Sequence, residues 1–347
     1  MSMKKYFLLL LSLFASLSIF TACQNTPVPE LHIMIWSDYI KPEIIEKFQE
    51  SHHCRVIIDT FDSNESMYAK VKLGAGGYDI IFPSNYFMQI MNQQNMLDPL
   101  NKELIPNLKN LDPAYTNKVD RSLLNLGVPY MVSSAGIVYR QDKVENLEVS
   151  WGVFGKSNYK GRMTMLNDVR ETLGAALKFL GYSANTTQLQ QIDQAAQVLI
   201  DWKTNLAKFE SEQYKAGISS AEYLIVNGYN GDALQVMKEN KNVNFFYPKE
   251  GISFSMDFMV IPKEAIQKEL AHAFINFLLD GKVAAENIEH SLFLSPNLAA
   301  YEHLSSELKN NAVLFMPKEV LDKAELIKYL GEKGILYNKA WDKVKAS

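Results

Sequence analysis

Two long extended stretches, "LGVPYMVSSAGIVYR" at 126–140 and "ISFSMDFMVIP" at 252–262, constrain this chain more than any other feature. Both are largely apolar, and neither carries the 3.6-residue periodicity of a helix. The first also contains Pro129, and the whole of 141–251 lies between them. Two such runs, far apart in sequence, are what a hinge between two α/β lobes requires. The chain would leave the first lobe near residue 133 and return to it near 257. A length of 347 residues agrees, being long for one core and suitable for two domains.

The lobes themselves are legible as alternating strands and helices. "LHIMIW" reads as a strand, followed by a helix from about Pro42 to Glu50 with proline in its favoured first turn. "CRVIIDTF" is the next strand, and a helix spans about Glu65 to Leu73, with Asp62 and Glu65 at the spacing of a capping box. "YDIIFP", "GRMTML" and "AEYLIVNG" are further strands. This alternation predicts an α/β architecture with a largely parallel sheet. The glycines of "GAGG" at 74–77 follow a helix and precede a strand, the reverse of a phosphate-cradling loop, so they read as a helix stop.

The N-terminus sets the compartment. Lys4 and Lys5 precede an apolar run from Tyr6 to Phe20 and then "TAC" at 21–23, the pattern of a secretory signal over 1–22. Cys23 stands where a bacterial lipobox places its lipidated cysteine, with Phe20 at the usual leucine position and a tether over 23–30. An extracytoplasmic protein, periplasmic or cell-surface and held to a membrane only through Cys23, is the expectation. A formal net charge of -4 without basic clusters argues against a nucleic-acid partner. With lipid on Cys23, the other cysteine, Cys54, has no disulfide partner. "HHC" at 52–54 reads as a surface turn before "RVIID" and not as a metal site, since adjacent strand residues point to opposite faces.

Ligands of open α/β sheets bind beyond the carboxyl ends of the strands. At such places lie Trp36–Tyr39, "PSNY" at 83–86, "LNDVRE" at 166–171 and "YNGD" at 229–232, while Asp257 lies inside the second extended run. The collected chemistry is aromatic (Trp36, Tyr39, Tyr86, Tyr229) and acidic (Asp38, Asp168, Glu171, Asp257). Aromatic faces attract cations and carboxylates bind ammonium groups through charge-assisted hydrogen bonds, so a linear polyamine fits. An anion binder would present helix N-termini and arginine forks instead. Helix capping is the competing account: Ser37 or Asp38 before Pro42, Ser84 or Asn85 after "YDIIFP", and Asp168 with Glu171 as a capping box. Asp257 escapes it, because a carboxylate in an apolar strand is costly without a partner. Asp168 and Glu171 lie one turn apart on one helix, which does not suit paired hydrolytic acids that must flank a bond.

The segments "WSDY", "DSNESMYAKVKLGAGGYDIIFPSNYF", "NDVRETLGAALKFLGYSANTT", "YPKEGISFSMD" and "SPNLAA" resemble, in order, the bacterial spermidine/putrescine-binding proteins of polyamine ABC importers. The resemblance implies a two-lobed type II periplasmic-binding-protein fold: two discontinuous α/β domains joined by crossing hinge strands, closing on the ligand. The expected lobes are 31–133 with 257–312, and 134–256 with 313–347. It implies ligand contacts at Trp36, Ser37, Asp38, Tyr39, Ser84, Tyr86, Asp168, Glu171, Tyr229, Asp257 and Phe293. It implies a monomeric receptor, no enzyme, without cofactor or metal, that serves a permease and its ATPase subunit. Ser255 stands where the family usually has Trp, Tyr229 also replaces Trp, Phe293 replaces Tyr, and Ile327 aligns with a Gln. These departures leave putrescine against spermidine open. The alternative is a receptor of the same fold for ferric iron or an organic anion.

Overall fold

The computed structural model describes residues 28–347 except 62 and 75–76. The expected signal segment, Cys23 and the proposed cap Asp62 lie outside the described residues. Along the chain run β1 (Glu30–Trp36), α1 (Pro42–His52), β2 (Arg55–Phe61), α2 (Asn64–Lys72), β3 (Ile80–Ile81), α3 (Asn85–Gln93) and β4 (Gly127–Arg140). Then follow β5 (Met163–Met165), α4 (Val169–Phe179), α5 (Leu189–Lys203), β6 (Leu206–Phe209), β7 (Ile225–Tyr229) and α6 (Asn230–Glu239). The chain continues through β8 (Val243–Phe246), β9 (Ser253–Val260), α7 (Lys268–Leu278), α8 (Gly281–Ser291), β10 (Glu325–Leu326) and α9 (Gly334–Ala346), with shorter helical turns between.

The strand order is β2-β1-β3-β9-β4-β7-β5-β6, with β10 added to β9 and β8 to β4. β1 runs parallel to β2 and β3, and β5 parallel to β6 and β7. β4 is the element that divides this sheet. Its first part, Gly127–Ser134, pairs antiparallel with β9, and from Ala135 onward it pairs with β7 and β8. Both extended runs are therefore strands, β4 is shared by the two sheet halves with β9 paired beside its first part, and the fold is two-lobed. All eight residues of β9 are buried. That is why these runs read as apolar throughout: strands covered on both faces lose the alternation of a half-exposed sheet.

Helices cover each half. Phe274 of α7 meets Phe48 of α1 edge-on at 4.8 Å, so both helices pack around one aromatic contact. On the other half α9 packs on α4 and α5, and its Trp341 meets Phe209 of β6 at 4.8 Å. Among the described residues no helix is long and apolar enough to cross a membrane.

Several local expectations are corrected. α2 is capped by Ser63, whose side chain accepts from the Ser66 N–H at 3.2 Å. α1 begins after Lys41 with no side-chain cap, so neither Ser37 nor Asp38 caps it; instead the Lys41 N–H donates to Asn287 Oδ1 at 2.9 Å. A long-range carboxamide replaces the local cap, which no spacing rule detects. The "HHC" segment is only partly at the surface. His52 stacks on Phe48 at 4.1 Å, His53 ends α1 in the left-handed region at φ 49°, and that reversal turns Cys54 into the core.

Candidate functional site

Side chains two apart on a strand share a face. On β9 this puts Ser253, Ser255 and Asp257 in one line along the junction of the lobes. Each has a polar partner. Ser253 Oγ donates to Glu171 Oε2 at 2.8 Å, Ser255 Oγ meets Ser133 Oγ of β4 at 2.9 Å, and Ser84 Oγ donates to Asp257 Oδ1 at 2.6 Å. β9 thus carries one acid, Asp257, and holds another, Glu171, through Ser253.

The first end is built at the tip of β1. Trp36 rests on Phe61 at 4.4 Å and lies 6.4 Å from Tyr39, which in turn meets Phe293 at 5.1 Å. Asp257 is 2% exposed. Burial raises its carboxyl to about 6, against the lowering effect of Ser84, Tyr39 and Trp36, whose hydrogens point toward it. The buried Trp36 Nε1–H stops short of a full hydrogen bond. Burial, then Asp257 and Asp232, push the Tyr39 phenol well up.

This aromatic corner is fixed from α8. Asn287 Nδ2 donates to Tyr39 O at 3.0 Å and to Tyr130 Oη at 2.7 Å, while its Oδ1 accepts from Lys41 N–H. Tyr130 Oη also donates to Tyr39 O at 2.7 Å. We predict that Asn287→Ala destabilises the protein by about 1–3 kcal/mol, because it strands buried polar partners. Urea titration measures this; an unchanged midpoint would remove the assigned role.

The second end faces it from the other lobe. Asp168 caps α4, accepting from Arg170 N–H at 2.8 Å and Glu171 N–H at 2.9 Å. Glu171 does not complete the expected capping box; its carboxylate turns to Ser253 instead. It is 3% exposed, and burial, then Asp168, raise it to about 8, against Ser253 and Arg170. Tyr229, at the end of β7, is pushed well up by burial and then by Asp168 and Glu171. Tyr86 comes from the first lobe and is raised by burial, Asp168 and Glu65. Asn64 Nδ2 donates to Ser84 Oγ at 3.1 Å and to Tyr86 Oη at 3.4 Å, so one buried amide positions both residues of the "PSNY" turn.

The structure therefore brings together Trp36, Tyr39, Ser84, Asp257 and Phe293 at one end, and Tyr86, Asp168, Glu171 and Tyr229 at the other. Ser84 sits at the N-cap position of α3, yet its side chain serves Asp257 and not the helix. Ser37 and Asp38 stand apart. Both are exposed, Asp38 makes the turn at φ 60°, and Ser37 lines a cavity of about 390 Å³ with Met34, Thr60, Phe61, Ser66 and Lys70. Ile327 is buried and offers its backbone carbonyl to Asn85 Nδ2 at 2.6 Å. Phe293 lies so close to Gly231 that a Cβ there would meet its ring at 2.5 Å, which makes glycine the fitting residue in "YNG".

Sequence reading missed Asp232. It lies one turn after Tyr229, bonded by the Tyr214 hydroxyl and 3.4 Å from Lys215 Nζ, and its charge reaches Tyr39. The signal was present as the fourth residue of "YNGD", three positions after the aromatic and on the same side of the first turn. Ser133, Ser253 and Asn64 left no comparable signal, because their partners are distant in sequence, and Asn85, read as a possible helix cap, bonds Met256 and Ile327 instead.

Residues 43–316 match the model of a family described as bacterial extracellular solute-binding protein. The spermidine/putrescine-binding periplasmic protein of Salmonella typhimurium is 33% identical over 318 residues, covering 91% of both chains. Among solved structures, the spermidine/putrescine ABC transporter substrate-binding protein PotD of Streptococcus pneumoniae, in complex with calcium and HEPES, superposes with a TM-score of 0.82. It is 31% identical over 92% of this chain and 99% of that one. The TpPotD lipoprotein of Treponema pallidum gives a TM-score of 0.83 at 30% identity, covering 91% of this chain and 99% of its own. Matched over most of its length and built around two crossing strands, the chain belongs to the bacterial extracellular solute-binding proteins, in the group of the spermidine/putrescine-binding proteins.

Proposed function

We propose that this chain is the extracytoplasmic receptor of an ABC importer and captures a polyamine by closing two lobes on it. The observation that carries this reading is the division of the acids. Asp257 and Asp232 act on Tyr39 at one end, while Asp168 and Glu171 act on Tyr86 and Tyr229 at the other. Two separated negative centres with aromatic walls between them suit a ligand with two separated ammonium groups and an apolar stem. An organic anion would meet carboxylates at both ends, so the geometry disfavours it. No bond-making step is required of any residue: the acids bind and orient, and the aromatic rings exclude water.

Trp36, Tyr39, Ser84, Tyr86, Asp168, Glu171, Tyr229, Asp257 and Phe293 are the contacts in this reading, with Asp232 added and the exposed Ser37 and Asp38 at the rim. The lobes are 31–133 with 257–312, and 134–256 with 313–347. The change of partner along β4 at Ser134 and the packing of α9 on α4 and α5 support that division. The receptor acts as a monomer, held to a membrane through lipid on Cys23, and passes its cargo to a permease driven by an ATPase subunit. Calorimetric titration with putrescine, cadaverine, spermidine and spermine tests the function. Saturable heat with at least one is expected; none with any, using protein freed of bound ligand, overturns it.

A further inference from the structure

The two turns that carry cleft residues share an unassigned feature. "PSNY" and "GYNG" each place an asparagine beside the lining tyrosine, Asn85 before Tyr86 and Asn230 after Tyr229. Each is the first residue of its helix, α3 or α6, and each is buried, at 4% and 2% exposure. Neither side chain caps its own helix. Asn85 Oδ1 accepts from Met256 N–H at 3.3 Å, and its Nδ2 donates to Ile327 O at 2.6 Å. Asn230 Oδ1 accepts from Ser134 N–H at 3.1 Å, and its Nδ2 donates to Val313 O at 3.2 Å.

The accepted N–H groups are at pivots. Ser134 is the last β4 residue paired with β9, and Ala135 is the first paired with β7. Met256 directly precedes Asp257, where β9 meets the Ser84 turn. The donated bonds reach the late chain. Val313 O also accepts from Tyr247 Oη at 2.8 Å, and Ile327 N–H donates to Phe254 O of β9 at 2.9 Å. From opposite lobes, each carboxamide clamps one crossing strand to the C-terminal part of the chain.

We propose that Asn85 and Asn230 are paired hinge latches, positioning residues that couple each lining turn to the angle between the lobes. Rotation of one lobe against the other changes the backbone at Ser134 and Met256. A rigid carboxamide bonded at both ends transmits that change to Ser84 and Tyr86 on one side and to Tyr229 and Asp232 on the other. Cargo touching those turns thereby favours one hinge angle, which is how a ligand shifts a two-state equilibrium. The ligand side of this inference rests on the proposed function; the latch itself does not.

The test compares wild type with Asn85→Ala and Asn230→Ala, and with Asn205→Ala as control. Asn205 is also buried, but its Nδ2 donates to Phe154 O at 3.1 Å, away from both crossing strands. Hydrogen exchange is followed in the ligand-free proteins. Asn85→Ala is expected to speed exchange of the Ser134 N–H about tenfold, and Asn230→Ala that of the Met256 N–H, each on the crossing strand that the changed side chain does not touch. The control leaves both amides unchanged. Faster exchange confined to the amide that lost its own acceptor overturns the latch and leaves only local scaffolding. Calorimetry then adds spermidine, for which each latch variant binds about tenfold more weakly and the control binds normally. If wild type binds no polyamine, the proposed function fails while the exchange result still decides the latch.

Discussion

Asp257→Asn is expected to weaken spermidine binding by about 30-fold or more near pH 8, while leaving the protein folded. Asp257 is buried, and its carboxylate is opposed by burial, with Ser84, Tyr39 and Trp36 turned toward it. An ammonium group arriving there supplies the missing countercharge. Truncating one partner of a buried charge pair costs about 2–5 kcal/mol, which is roughly 30- to several-thousand-fold in affinity. The asparagine keeps the shape and can still engage Ser84, so the loss reports charge and not collapse. Ligand-free stability separates the two. Removing an unpaired buried charge relieves desolvation, so the variant should melt at or above the wild-type temperature. Near-normal affinity in calorimetry would sink the assignment of Asp257 as an ammonium partner.

The second large effect is on pH. Burial raises the Glu171 carboxyl to about 8 and that of Asp257 to about 6. A bound cation requires both to be ionised, so capture releases protons, and the ligand keeps its own charge because amines titrate near 10. Affinity should therefore fall about a hundredfold between pH 8 and pH 6, nearly all of it through Glu171. Titrations in buffers of different ionisation enthalpy measure the released protons directly. The sign for stability is opposite to that of a salt-bridged carboxylate. Both folded values lie above the unfolded ones, near 4, so the native state holds the extra protons between about pH 4 and 8. Ligand-free stability from these groups consequently declines as pH rises through that window. Ligand should raise the melting temperature more at pH 8 than at pH 6. An affinity flat across the window would show that neither acid meets the cation.

The lobes close around chemistry that was unevenly visible. Trp36, Tyr39, Tyr86 and Tyr229 lie at or just beyond the ends of strands, where sheet geometry places ligands, so short-range pattern was enough to find them. The capping alternatives divided. Asp168 is a true cap, because its partners are the next N–H groups along the chain. Ser84 and Glu171 have the right spacing for caps and are used otherwise, for Asp257 and Ser253. Local sequence offers a side chain several partners, and in both cases a buried distant one wins. Asp232 is the instructive omission: its i+3 spacing from Tyr229 is visible in "YNGD", but only the fold carries its charge within reach of Tyr39.

The substitution at Ser255 shows the same limit. The family resemblance marks a tryptophan absent at Ser255, and the fold shows what stands there, a hydroxyl pair with Ser133 on the neighbouring strand. Trp36 does not move into that gap; it is held on Phe61 at the far end of the trough.

By itself, the sequence determined the α/β class, the two crossing strands and the aromatic and acidic character of the site. Those depend on periodicity, apolar run length and residue type, which are local properties of a chain. Only the tertiary structure decided that Asp257 bonds Ser84 and Glu171 bonds Ser253, that Ser37 and Asp38 are exposed, and that Asn85 and Asn230 bond the crossing strands. Those assignments rest on contacts between residues up to 242 positions apart, as in Asn85 with Ile327. The energy of such a contact comes from burial and hydrogen-bond geometry that exist only once both lobes have folded.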